Sequence, residues 1–146
     1  MKTLARRKTD LSVIGLLAVA LSLGVATLAM ALPHLVFDPN SSSWIDLPVL
    51  YLCVAYFAGP GAVAGVIPLV GLLAALERRG ASAGRIYALG FLLGSILGSL
   101  NACLGTFLLW GGSFQAEWRL VAIGTVSGVT AGVSVSLGVL RRRRSA

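Results

Sequence analysis

The stretch IYALGFLLGSILGSLNACLGTFLLW, Ile86 to Trp110, runs 25 residues without a charged side chain. A helix rises about 1.5 Å per residue and the hydrocarbon core of a bilayer is roughly 30 Å thick, so about 20 apolar residues suffice to cross it. The stretch therefore reads as a membrane-spanning helix. Within it Gly90, Gly94, Gly98 and Ala102 recur at four-residue intervals, which strips one line of the helix of side chains. Small residues in such a line let two backbones approach closely, the arrangement called a glycine zipper.

Working outward, the same reading applies to the rest of the chain. The 146 residues are 57% hydrophobic and only 12% charged, too little polar surface for a water-soluble globule. The charges fall in clusters: Lys2, Arg6, Arg7, Lys8 and Asp10; Asp38 and Asp46; Glu77, Arg78, Arg79 and Arg85; Glu117 and Arg119; and Arg141, Arg142, Arg143 and Arg144. Between them lie four uncharged stretches of spanning length, predicting helices at about 11–32, 47–76, 86–110 and 120–140. The linkers Pro33 to Asp46, Glu77 to Arg85 and Gly111 to Arg119 are too short to fold alone. The expectation is an all-α, polytopic membrane protein over residues 1–146, one four-helix domain with no soluble domain.

Lysine and arginine near span ends resist translocation and set orientation. The N-terminal segment carries four, the middle linker three and the C-terminal tail four, against none in the first linker and one, Arg119, in the third. Both termini are therefore expected in the cytoplasm of a cell whose plasma membrane holds the protein, most simply a prokaryotic inner membrane. Trp44, Trp110 and Trp118 then all fall at the opposite boundary, where indole rings favour the interface. A competing reading exists for residues 1–31: a basic start, an apolar run and Ala29-Met30-Ala31 resemble a cleavable signal peptide. The uncharged run from Leu11 is about twice the usual signal-peptide core, which favours retention as a span. A twin-arginine signal at Arg6-Arg7 is disfavoured because Lys8, Thr9 and Asp10 follow it.

Chemistry-bearing residues are sparse. The single histidine, His34, precedes Asp38 by four residues, but Pro33, Pro39 and Asn40-Ser41-Ser42-Ser43 surround them, which predicts a solvated loop. Glu77 and Glu117 stand at membrane boundaries beside arginines, the setting of ordinary exposed ion pairs. No nucleophile can be assigned a base within the spans, so no enzymatic activity, cofactor or metal set is expected. The spans contain no ionisable carboxylate or amine either, which disfavours carriers driven by protons or cations. Cys53 and Cys103 lie at similar depth on the same side and could meet in a disulfide; small buried packing thiols are the simpler reading. The four terminal arginines, Arg141 to Arg144, hold the C-terminus inside and offer contact to anionic lipid headgroups. Nothing points to nucleic acid.

The second span, with AYFAGPGAVAGVIPLVG from Ala55 to Gly71, is unusual. Pro60 and Pro68 remove the hydrogen bonds that the carbonyls of Tyr56 and Ala64 would accept, and the span exceeds the length needed to cross. A break or kink near 59–61, at Gly59-Pro60-Gly61, is expected. Broken helices form binding sites in many transporters, although kinks satisfied by neighbouring helices also occur.

The fourth span repeats the small-residue stripe at Gly124, Gly128, Gly132 and Ser136. Counted inward from Arg85 and Arg141, Gly90 matches Ser136 at five residues, Gly94 matches Gly132 at nine, Gly98 matches Gly128 at thirteen and Ala102 matches Gly124 at seventeen. A short linker makes the two spans antiparallel neighbours, with the symmetry point at Ser113 in Gly111-Gly112-Ser113. The expected crossing is right-handed, near −40°, closest around Gly94–Gly98 and Gly128–Gly132. The same depth match sets Asn101 opposite Thr125 and Ser99 opposite Ser127. The leading function is a non-catalytic accessory or assembly subunit acting through helix packing, with a protein partner or its own copies. The rival is a homo-oligomeric channel or carrier for a neutral or weakly charged solute.

Overall fold

A computed structural model describes the backbone of residues 2–37, 43–109 and 118–144, and the side chains of most of these. Four long helices occupy them: α1, Lys2–Phe37; α2, Ser43–Arg78; α3, Ala83–Leu109; and α4, Trp118–Arg144. Each contains a window long and apolar enough to cross a bilayer: Leu11–Leu32, Ala58–Arg78, Ala83–Gly105 and Trp118–Arg142. The protein is all-helical in these residues and built to sit in a membrane.

The helices outrun the uncharged stretches. α1 begins at Lys2 and continues through Pro33 to Phe37, so His34 lies in the last turns of a helix and not in a loop. Charged residues end a hydrocarbon span but do not end a helix, whose backbone bonds continue into the headgroup layer. Asp38, Glu117, Trp110 and the Gly111-Gly112-Ser113 turn lie outside the described residues.

α2 corrects one half of a second expectation, the break and not the kink. The helix is not interrupted at Gly59-Pro60-Gly61 and runs from Ser43 to Arg78 with Pro48, Pro60 and Pro68 inside it. One missing donor is tolerated because unwinding in apolar surroundings would strand several more polar backbone groups. Asn101 Nδ2, reaching across from α3, donates to the Ala58 carbonyl at 3.3 Å just before Pro60. Pro60 and Pro68 are exposed, so their rings lie on the outward side.

The α2–α3 connection is a tight reversal. Gly80 adopts φ +77°, the left-handed conformation that glycine allows without a Cβ clash. Ala81 N donates to Leu76 O at 3.1 Å and Gly80 N to Glu77 O at 3.0 Å, the paired bonds of a Schellman cap. Leu76 and Ala81 both pack against the core. Ser82 then opens α3: its Oγ accepts from Arg85 N at 3.4 Å, as an N-cap does.

The helices form a bundle in which α3 lies closest to α4, α1 packs on α4 and α2, and α2 reaches both α3 and α4. α1 and α3 make no close backbone approach among the described residues. The tightest core lies toward the end that carries both termini. There Leu73, Ile86, Val135 and Val139 are fully buried, with Ala18, Val66, Leu69, Val70 and Ala131 around them. A smaller cluster, Leu23, Ala26 and Val54, joins α1 to α2 nearer the other end. Large apolar side chains such as Leu16, Leu28, Leu52, Ile67, Leu100 and Leu104 face outward. Against lipid that is the expected surface.

Candidate functional site: the small-residue crossing and the cavity beside it

The two stripes meet. A methyl group placed on Gly98 would stand 2.8 Å from Gly128 Cα, and one on Gly124 would stand 2.5 Å from Ala102 Cβ and 2.6 Å from Gly98 O. At Gly94 it would meet Gly132 Cα at 3.2 Å and, closer still, the Gly128 carbonyl. At Gly90 it would meet Gly132 O at 2.7 Å, with Ser136 Oγ also against it, and at Gly132 it would meet the Gly90 carbonyl. Backbone therefore touches backbone along the crossing, and the neighbours of each added methyl are largely main-chain atoms that cannot rotate away. Ser136, fully buried, donates to Gly132 O at 2.8 Å and reaches Ile86 O at 3.2 Å, tying the termini end of α4 to the start of α3.

The polar pairs differ from the depth match. Ser99 Oγ pairs with Thr125 Oγ1 at 2.7 Å. Asn101 does not face Thr125 but bonds α2, as above. Ser127 does not face Ser99 but donates to the Ser22 carbonyl of α1 at 2.7 Å. The reason is azimuth. Successive residues turn by about 100°, and on antiparallel helices the residues that follow stripe positions share one flank, while those that precede them share the other. Ser99 follows Gly98 and Thr125 follows Gly124; Asn101 precedes Ala102 and Ser127 precedes Gly128. Depth counts alone ignore this rotation.

The preceding flank faces α1 and α2, and there the bundle opens into a cavity of about 260 Å³. All four helices line it, with Leu97, Asn101, Ile123, Ser127 and Ala131 from the α3–α4 flank. It reaches from Leu69 and Gly94 near mid-helix to Met30, Leu50, Gly105 and Leu120 toward the end remote from the termini. Its wall carries few polar side chains. Ser22 donates to Val19 O at 3.0 Å and Ser127 to Ser22 O, so both hydroxyl protons are engaged. Gly61 touches the Asn101 amide so closely that a Cβ there would overlap Asn101 Oδ1. Gly61 is thus where α2 admits the α3 amide, and Gly59 and Pro60 play no such part: a Cβ on Gly59 would meet nothing within 4 Å.

Cys53 and Cys103 are not joined in a disulfide, and Cys53 is exposed, not buried as a packing thiol would be. Trp118, also exposed, carries the Arg119 guanidinium 5.7 Å from its ring centroid, a cation–π contact. α4 continues through Arg144, with Arg141 exposed and Arg142 partly buried. No protein-family model matches the chain, and no curated protein or solved structure matches it significantly.

Proposed function

We propose that this is a non-catalytic integral membrane protein that acts by packing and binding within the bilayer, as an accessory or assembly subunit of a larger membrane complex. The observation that carries the reading is the use of its intramembrane polar side chains. Ser99, Asn101, Thr125, Ser127 and Ser136 all bond to a neighbouring helix, and Thr27 to its own backbone at Leu23 O, 2.9 Å. Such bonds hold helices in register. Because the stripes are matched within one chain, a partner would meet the outward faces of the bundle, not the glycines. Both termini face the cytoplasm in this reading, with Arg141, Arg142, Arg143 and Arg144 at the anionic headgroups of a prokaryotic inner membrane.

A second reading, a carrier or channel subunit for a neutral or weakly charged solute, is favoured by the cavity alone. Flux separates the two. Liposomes holding only this protein should show no uptake of small neutral solutes above protein-free liposomes, while gentle solubilisation from its native membrane should recover a fixed protein partner in constant ratio. Saturable flux without a partner would reverse the order. Orientation is checked separately: reporters fused near Lys2 and after Ala146 should be active on the cytoplasmic side and one at Ser42 on the far side. A reporter after Ala146 that is active only outside would overturn the orientation.

A further inference from the structure

We infer that the cavity between the four helices is a binding site for a neutral, mostly hydrocarbon molecule carrying one hydroxyl or carbonyl group. This goes beyond the accessory reading and stands whether or not the protein joins a larger complex. Three observations on the wall fix the chemistry.

First, of the 25 lining residues only Ser22, Asn101 and Ser127 bear oxygen or nitrogen in their side chains. An ordered water needs about two to four polar partners, and apolar cavities of about 150 Å³ stay dry and take up benzene-sized guests. A cavity of about 260 Å³ with this lining suits hydrocarbon. Second, among the described residues no charged side chain lines it. An ion there would lack a counter-charge in a medium where unpaired charge is costly, so the guest is neutral. Third, its polar atoms are asymmetric. The serine protons are directed to backbone carbonyls, which leaves the hydroxyl oxygens as acceptors. Asn101 gives one N–H to Ala58 O, and an amide carries a second N–H and an accepting oxygen. One hydroxyl or carbonyl beside Asn101 fits that set; several polar groups do not. The many glycines and alanines of the wall, among them Gly65, Gly98 and Gly105, leave open the space that larger side chains would fill. The same chemistry is offered by a free lipophilic alcohol and by the chain of a neutral bilayer lipid.

The test uses the full protein in lipid nanodiscs and a decanol carrying a diazirine. Irradiation should give saturable adducts, located by mass spectrometry to the lining residues Ala58, Ala62, Asn101 and Ala102 and competed by unlabelled decanol. Gly105→Leu is the filling variant, since a Cβ there meets nothing within 4 Å, and Ala62→Val is a smaller one should the first fail to fold. Both should abolish most of the competed labelling, while Gly24→Leu, on α1 outside the cavity, should leave it unchanged. Asn101→Ala should weaken decanol competition about fivefold, the order expected of one intramembrane hydrogen bond, and leave competition by decane unaltered. Native mass spectrometry distinguishes the sources: a neutral lipid retained by wild type and lost in Gly105→Leu identifies the bilayer, and an empty protein that takes up decanol identifies a free solute. Equal labelling of wild type and both filling variants, or adducts confined to the outward faces at Leu92, Leu100 and Leu104, would overturn the site.

Discussion

Gly128→Val will be the most damaging single substitution in the helical interior, lowering resistance to unfolding in mixed micelles by the upper end of about 1–3 kcal/mol or more. A Cβ at Gly128 would stand 2.8 Å from Gly98 Cα and 2.9 Å from Gly98 N, with the Gly94 carbonyl nearer still. All three are backbone atoms, so relief requires α3 and α4 to separate, and separation also pulls apart Ser99 and Thr125. Gly98→Val should behave alike, because the contact is reciprocal. Gly24→Ala and Gly59→Ala are the controls: nothing lies within 4 Å of a Cβ at either. Replacing an unconstrained helical glycine by alanine should stabilise by about 0.5–1 kcal/mol. Unfolding curves in a denaturing detergent decide it. If Gly128→Val matches Gly24→Ala, the two helices do not cross at these glycines.

That contrast also marks what the sequence could carry. Span number followed from where charges are absent, because removing an unpaired charge from water dominates every other term at the bilayer centre. Helix ends did not follow, since Lys2 to Asp10 and Pro33 to Phe37 lie in α1 although they are polar or proline-bearing. The stripe alignment was legible because a short connection and a common boundary of arginines fix depth. The partners of Asn101 and Ser127 were not, since they depend on which flank α1 and α2 occupy, and no one-dimensional count contains that. The flank rule would have separated Ser99 and Thr125 from Asn101 and Ser127 without coordinates. It would not have shown a cavity, which depends on how far α2 stands from the α3–α4 pair. The uninterrupted α2 was legible only in part: Gly59-Pro60-Gly61 reads equally as a break or as a kink held by neighbouring helices, and a break would strand more backbone groups in lipid than the proline does.

The last expected result concerns α1. Deleting residues 2–31 should abolish the stable bundle, and supplying residues 1–37 as a separate chain in the same membrane should restore it. α1 buries Ala18, Ser22, Leu23, Ala26, Thr27 and Ala31, and Ile14 lies so close to Gly138 that a Cβ there would meet it at 2.7 Å. Ala18 belongs to the same core as Val66, Val70, Val135 and Val139. Without α1 that core opens on one side, and Ser127 loses the Ser22 carbonyl to which it donates. Lipid chains can cover the exposed apolar surface, so hydrophobic burial is not what is lost. What lipid cannot replace is the close packing and the hydrogen bond, the terms that hold helices together in a bilayer. Rescue by a separate first span follows from the same reasoning, because each span is a stable helix before it associates. Protease resistance of residues 43–144 reports the outcome: it should fall on deletion and return on complementation. It also decides between a retained span and a cleaved leader. An intact mass beginning at Leu32, from protein whose remaining three helices resist protease as the full chain does, would show that α1 is dispensable and that its packing in the bundle carries no stability.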